Sequence, residues 1–202
     1  MIEKIREIFE REAAAIKKIP ITSSFETAIE IIHRQVHGKN GKLVTSGMGK
    51  AGQIAHNIAT TFSSTGTPSI FLHPSEAQHG DLGILQENDV LLAISNSGKT
   101  REIIELIELK NNLYPQIPVI VITGNENSPL ALKADCFIVT GAPEEVCTLG
   151  LTPTTSTTMM TVIGDALVVL MMGKIDFGAS DYAKRHHGGY LGMKSREISG
   201  KE

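Results

Sequence analysis

The chain has 202 residues, of which 41% are hydrophobic and 20% charged, with a formal net charge of −3. That composition predicts one globular domain over residues 1–202 with apolar material for a real core. The slight acidity and the scattered basic residues, with no arginine-rich arm or aromatic–basic stripe, exclude a nucleic-acid surface.

The N-terminal segment MIEKIREIFEREAAAIKK is charged and helical and has no apolar run of the secretory type, which predicts a cytoplasmic protein. A first helix is expected through about Lys18, with Ile5, Phe9 and Ile16 on an apolar stripe. A second begins near Ser23, where Ser23 and Glu26 make a capping-box pattern ahead of Ala28, Ile31 and Ile32. Together these helices, about residues 1–38, are expected to pack on the rest. The period then changes. Short apolar runs at Lys42–Thr45, Ser69–Leu72, Val90–Ile94, Val119–Ile122 and Phe137–Val139 have the length and β-branched content of strands buried on both faces. Helical patterns at Ala51–Phe62, Arg101–Leu113 and Leu130–Lys133 separate them. Strand alternating with helix predicts an α/β fold, a three-layer αβα sandwich around a parallel sheet of about five strands.

A last helix, about Thr155–Met172, is apolar almost all round. As a membrane span it would carry Asp165 and a first half crowded with Thr and Ser, at a cost of roughly 2.5–3.5 kcal/mol for the acid alone. A helix buried in a core or a subunit interface is the better account. The two cysteines, Cys136 and Cys147, have no metal-like spacing and are expected to be buried free thiols.

Ligands of open α/β sheets bind at the carboxyl ends of the strands. There the sequence carries Thr45-Ser46-Gly47-Met48-Gly49-Lys50-Ala51-Gly52 after the first strand and Ser95-Asn96-Ser97-Gly98-Lys99-Thr100 after the third. Both enter a helix, so backbone N–H groups and helix dipoles face an anion, and the hydroxyls of Ser46, Ser95, Ser97 and Thr100 add donors suited to phosphate. Gly47-x-Gly49-x-x-Gly52 also spells a dinucleotide fingerprint. That motif needs an acid closing the second strand, and this one ends Phe71-Leu72-His73-Pro74. Gly98-Lys99-Thr100 is not a nucleotide P-loop, because Ala93 stands where its first glycine belongs. Lys50 opposes the dipole of the helix it begins, a penalty of roughly 0.3–1 kcal/mol that a bound anion reverses. His79 and His186 lie between glycines and charged residues in expected loops, which sets them apart from the structural histidines His33, His37, His56 and His73.

The ordered set SGMGKAG, EAQHGDLG, SNSGKTREI, LGLTPTTSTT with GDAL, and HHGGYLG closely resembles the sugar isomerase (SIS) domain of arabinose 5-phosphate isomerases, from roughly Lys42 to Gly192. The resemblance implies a flavodoxin-like sheet and a homotetramer. It implies interconversion of D-ribulose 5-phosphate and D-arabinose 5-phosphate, an early step toward 3-deoxy-D-manno-octulosonate for lipopolysaccharide or capsule. It implies neither a metal nor a redox cofactor. Carried over by motif, the catalytic positions are Lys50, His79, Glu102 and His186, with the phosphate on Ser46, Gly47, Ser95, Asn96, Ser97 and Thr100. Family members usually read His-Pro-Gly-Gly where this chain has His186-His187-Gly188-Gly189, which leaves open which histidine acts. Many also carry a regulatory pair of cystathionine-β-synthase-type domains. This sequence ends at Glu202, so feedback is expected to act at the isomerase domain, for example through CMP-Kdo competing with substrate. A hexulose 6-phosphate isomerase and a non-catalytic sugar-phosphate sensor are the alternatives within the same loops.

Overall fold

The protein is described by a computed structural model covering residues 1–200. Five parallel strands, β1 (Leu43–Gly47), β2 (Ser69–Phe71), β3 (Val90–Ile94), β4 (Val119–Thr123) and β5 (Cys136–Val139), form one sheet in the order β2-β1-β3-β4-β5. The architecture is a three-layer α/β fold, as the alternating pattern predicts.

Strand alternation builds two cores. On β3, Leu92 and its neighbours Val90 and Ile94 face one cluster, while Leu91 and Ala93 face the other. The first cluster receives α2 (Ser24–Ile32), α3 (Gly49–Ser64) and α7 (Thr155–Lys174), and the second receives α5 (Arg101–Leu113). Because both faces are covered, every residue of β1, β3 and β4 is buried, which is why β3 and β4 read as almost continuous apolar runs. Asp89 fixes the entry to β3 against β1. Its fully buried carboxylate accepts from the Lys42 and Gln86 amides at 2.9 and 2.8 Å and from Lys42 Nζ at 2.7 Å.

Three local expectations are corrected. Ser23 makes no side-chain cap on α2; Thr22 Oγ1 accepts from the Ser24 amide instead, at 3.3 Å, because Ser23 has already turned into helical backbone. The helix α1 (Ile2–Ile16) forms, but none of its residues is buried, and Ile5 and Phe9 are 45% and 69% exposed. Its apolar stripe points away from the body of the chain. Finally, α8 (Ala179–Arg185) and α9 (Gly189–Ser199) follow α7 in a stretch whose Gly, His and charged residues give no clean helical period. Shorter pieces also escape the pattern: α4 (Pro74–Ala77), α6 (Pro129–Leu132), the π-helical turn His33–His37 that prolongs α2, and a 3₁₀ turn at Asp81–Ile84.

The apolar helix α7 is long and hydrophobic enough to cross a membrane by length and composition. Here one side of it is core: Met159, Met160, Ile163, Leu167, Val168 and Met171 are buried, and Gly164 lets it approach Ile58 of α3. Its other side exposes Asp165, Val169 and Leu170.

Candidate phosphosugar site

In the strand order β2-β1-β3, the chain leaves β1 toward α3 on one face and β3 toward α5 on the other. The two loops diverge and leave a crevice at the carboxyl ends of the strands. A cavity of about 960 Å³ occupies it, with Lys50 and Met48 on the β1 side and Ser95, Asn96, Ser97 and Thr100 on the β3 side. The remaining walls come from the loop between β5 and α7, the first turns of α7, and the residues Lys4, Glu7, Ile8 and Arg11 of α1.

Three helix N-termini meet here. Those of α3 and α5 carry no side-chain cap, so their terminal donors are open to an anion. Thr100, at the N-cap of α5, is engaged elsewhere: its Oγ1 lies 2.7 Å from Ser95 Oγ, which in turn accepts from the Gly98 amide at 3.2 Å. The Ser97 hydroxyl accepts from the Lys99 amide at 3.2 Å. The loop is thus pre-shaped by its own hydroxyls. Lys50 is exposed at the start of α3, and among the described residues no carboxylate pairs with it. The third N-terminus, that of α7, is already occupied. Glu145 accepts from the amides of Thr154 and Ser156 at 2.7 and 3.3 Å, from Thr154 Oγ1 at 2.9 Å and from Ser156 Oγ. Burial works to raise this carboxyl, but the four donors outweigh it and hold it below the usual carboxylate range.

Of the positions singled out in the sequence, Lys50, Ser95, Asn96, Ser97 and Thr100 line this cavity together. Ser46 does not. It is fully buried, and its hydroxyl donates to the Leu72 carbonyl at 2.7 Å, tying β1 to the end of β2. Gly47 serves packing: a Cβ there would stand 2.8 Å from the Ala51 carbonyl, so the close approach of β1 to α3 demands glycine. Glu102 lies in the first turn of α5, half-buried, and does not line the cavity that Thr100 lines. His79 is exposed just after α4. His186 caps the C-terminus of α8, where its ring stacks on Tyr182 with centroids 3.7 Å apart. Its Nδ1 lies 3.0 Å from the Tyr182 carbonyl, and a carbonyl can only accept; Nδ1 therefore carries the proton, leaving Nε2 free as a base in the neutral ring. One copy of the chain brings Lys50 and the Ser95–Thr100 loop together but leaves Glu102, His79 and His186 out of the cavity lining.

A family model for the SIS domain matches residues 37–170. The chain belongs to the SIS domain family. It is 46% identical over 185 residues, 92% of its length, to the arabinose 5-phosphate isomerase KdsD of Shigella flexneri, and it spans 55% of that relative. Among solved structures, a Bacteroides fragilis protein named as a candidate phosphosugar isomerase involved in capsule formation is 67% identical, with a TM-score of 0.93 and coverage of 94% of this chain and 99% of that one. The Escherichia coli CFT073 protein c3406, solved in complex with arabinose 5-phosphate, is 34% identical with a TM-score of 0.85, covering 92% and 96% of the two chains.

The SIS fold brings to the cavity residues that local sequence patterns did not mark. Glu145 is one of these, since an acid in an aperiodic loop carries no local signal; its partners Thr154 and Ser156 become visible once α7 is seen to start there. Arg11 is 134 residues from the Glu145 carbonyl to which it donates. Cys147 corrects the expectation of two buried thiols. It is half-buried on the cavity wall, and the amides of Thr152 and Leu151 donate to its sulfur at 3.2 and 3.3 Å. Those amides, Thr152 first, bring the thiol down to about 7. Cys136 is buried, and burial together with the nearby Asp135 carboxylate pushes it up to about 11.

Two outcomes are expected. Iodoacetamide should label Cys147 selectively in the folded protein, at a rate that rises through a midpoint near pH 7, with Cys136 unlabelled, as read by peptide mass spectrometry. Gly98 has φ +63, and a Cβ there would collide with Ser128 Oγ and Cβ. Gly98→Ala should therefore destabilise the protein by about 1–3 kcal/mol and abolish the rise in melting temperature given by inorganic phosphate, both read in thermal melts.

Proposed function

We propose that the chain is an aldose–ketose isomerase interconverting D-ribulose 5-phosphate and D-arabinose 5-phosphate in the cytoplasm, on the way to an octulosonate of capsule or lipopolysaccharide. The observation that carries this reading is the anion cradle itself. Two uncapped helix N-termini, the Ser95–Thr100 loop and Lys50 converge at the crevice between β1 and β3, in a chain closely similar to isomerases of that substrate. The chain spans about half the length of the KdsD relatives it matches, so the proposed activity and assembly concern the SIS unit alone.

The phosphate is assigned to the loop Ser95, Asn96, Ser97 and Thr100, with Lys50 offsetting its charge or that of the intermediate. A base takes a proton from C1 of the open-chain ketose, the electron pair forms the enediolate, and the proton returns to C2 to give the aldose. Glu102 is the proposed carrier, and a histidine, His79 or His186, opens the ring and moves the hydroxyl proton. A positioned base gives typically 10²–10⁴-fold, so orientation of the anchored chain supplies much of the remainder.

These three side chains lie outside the cavity of their own chain, which supports a site completed by a neighbouring copy in a homotetramer. Exposed apolar residues offer surface for such an assembly: Ile2, Ile5 and Phe9 on α1, Val169 and Leu170 on α7, and Leu191 and Met193 on α9.

The test is to incubate the purified protein with ribulose 5-phosphate, without metal or nucleotide, and follow arabinose 5-phosphate by NMR, with hexulose 6-phosphate and fructose 6-phosphate alongside. Formation of the pentose aldose alone is the expected result. Tight binding of one sugar phosphate without turnover of any would make the protein a sensor. Glu102→Gln should lose at least 10²-fold in kcat with KM little changed, and near-normal turnover would remove Glu102 from the role. Mixing inactive Glu102→Gln and His186→Ala subunits should restore activity if the site is shared between chains.

A further inference from the structure

The helix α1 is amphipathic in an inverted sense. Its residues Lys4, Glu7, Ile8 and Arg11 follow the i, i+3, i+4, i+7 spacing of one helical face, and that face lines the cavity. Its apolar face, Ile2, Ile5 and Phe9, looks outward. No residue of α1 is fully buried and only Ile8, Ala15 and Ile16 of its apolar residues are half-buried, so apolar burial alone does not fix the helix where it lies. Two polar tethers do. Arg11 Nη2 donates to the Glu145 carbonyl at 3.2 Å, and Glu12 Oε1 accepts from Thr155 Oγ1 at 3.0 Å, while Glu12 Oε2 is buried without a hydrogen-bond partner. Both tethers reach the place where the loop from β5 enters α7. That place carries Glu145, which ties the loop down through Thr154 and Ser156. The helix lies wholly before the segment matched by the family model, residues 37–170.

We propose that α1 is a working wall of the active site and that Arg11 is a positioning residue for the isomerisation. It acts by holding the loop around Glu145 at the correct height above the phosphate cradle. The assignment rests on the isomerase reading for its kinetic consequence and on the fold alone for its structural one. A guanidinium suits the task. It is always charged and has five donors, so one can hold the Glu145 carbonyl while others face the cavity, a division that a lysine cannot reproduce fully. Without this tether the loop is held by the Glu145 hydrogen bonds alone, which then open more often, and it loses its fixed distance from Ser95 and Thr100. Misplacement of a binding wall by about 1 Å can cost on the order of 10²-fold in rate.

The experiment compares the full chain with Arg11→Ala and Arg11→Lys, and with Lys39→Ala as a control, an exposed cation ahead of β1 at the end of the sheet opposite the crevice. Steady-state isomerisation of ribulose 5-phosphate is measured together with amide hydrogen exchange of residues 145–156 and thermal melting. Arg11→Ala should lower kcat/KM by about 10–100-fold, with the larger part in KM, and speed exchange at the Thr154 and Ser156 amides while the melting temperature stays within about 2 °C of the parent. Arg11→Lys should recover part of both effects, and Lys39→Ala should match the parent. Parental kinetics with parental exchange in Arg11→Ala would overturn the proposal, as would a kinetic loss that merely tracks a lowered melting temperature. If the parent turns over no sugar phosphate, the isomerase reading falls, and the exchange data alone decide Arg11: unchanged protection at residues 145–156 overturns its role, and faster exchange upholds it.

Discussion

The crevice between β1 and β3 is the constraint from which the rest follows. Parallel strands whose connections leave on opposite faces cannot close the gap between their outgoing loops, and the polypeptide must fill it with backbone N–H groups that have no partner in the sheet. Here two helices begin at that gap without side-chain caps. Their unpaired donors and dipoles create a standing demand for negative charge, and Lys50 sharpens it rather than relieving it. Local stability is lower for that arrangement than a capped helix would give, and the deficit is made up when an anion arrives.

The third helix of the cavity answers the same demand internally. Glu145 takes the N-terminus of α7, so this loop is anchored by a carboxylate of the chain, while the other two helix starts carry no side-chain cap. The division of labour is electrostatic: one N-terminus is spent on architecture and two are left open. Linkage gives the architectural one a sign. The Glu145 carboxyl titrates lower in the folded chain than in the unfolded one, so its contribution is present at neutral pH and is lost as pH falls through the folded value.

Much of this was legible in the sequence, for reasons that can be named. β3 and α5 lie at Val90–Ile94 and Arg101–Leu113, because a run buried on both faces and a strong helical period each leave an unambiguous trace. Lys50, Ser95, Ser97 and Thr100 were legible because strand ends followed by helix starts are read from local order alone. Ser46 misled: a hydroxyl at a strand end looks the same in sequence whether it faces a ligand or, as here, donates to Leu72. The α1 stripe misled in the opposite way. Its period correctly gave a helix, but a period does not say which way the helix is rolled, and the charged side won the inward position because Arg11 and Glu12 had partners there. Arg11, Glu145 and Cys147 had no local signal at all, since their meaning depends on contacts more than a hundred residues away or on a loop with no period.

The tether between Arg11 and Glu145 spans 134 residues, and the one between Glu12 and Thr155 spans 143. Such contacts are entropically among the last to form, because a long loop must close before they yield anything. On the ribosome, α1 emerges ahead of the sheet and stays without its partner until the start of α7 has been made. The sheet can assemble meanwhile, and so can the anion cradle, whose parts lie between residues 43 and 113. The emerging polypeptide thus passes through a stage at which the two loops of the crevice exist with no roof over them, and the enclosed cavity comes into being only when α1 and the start of α7 meet.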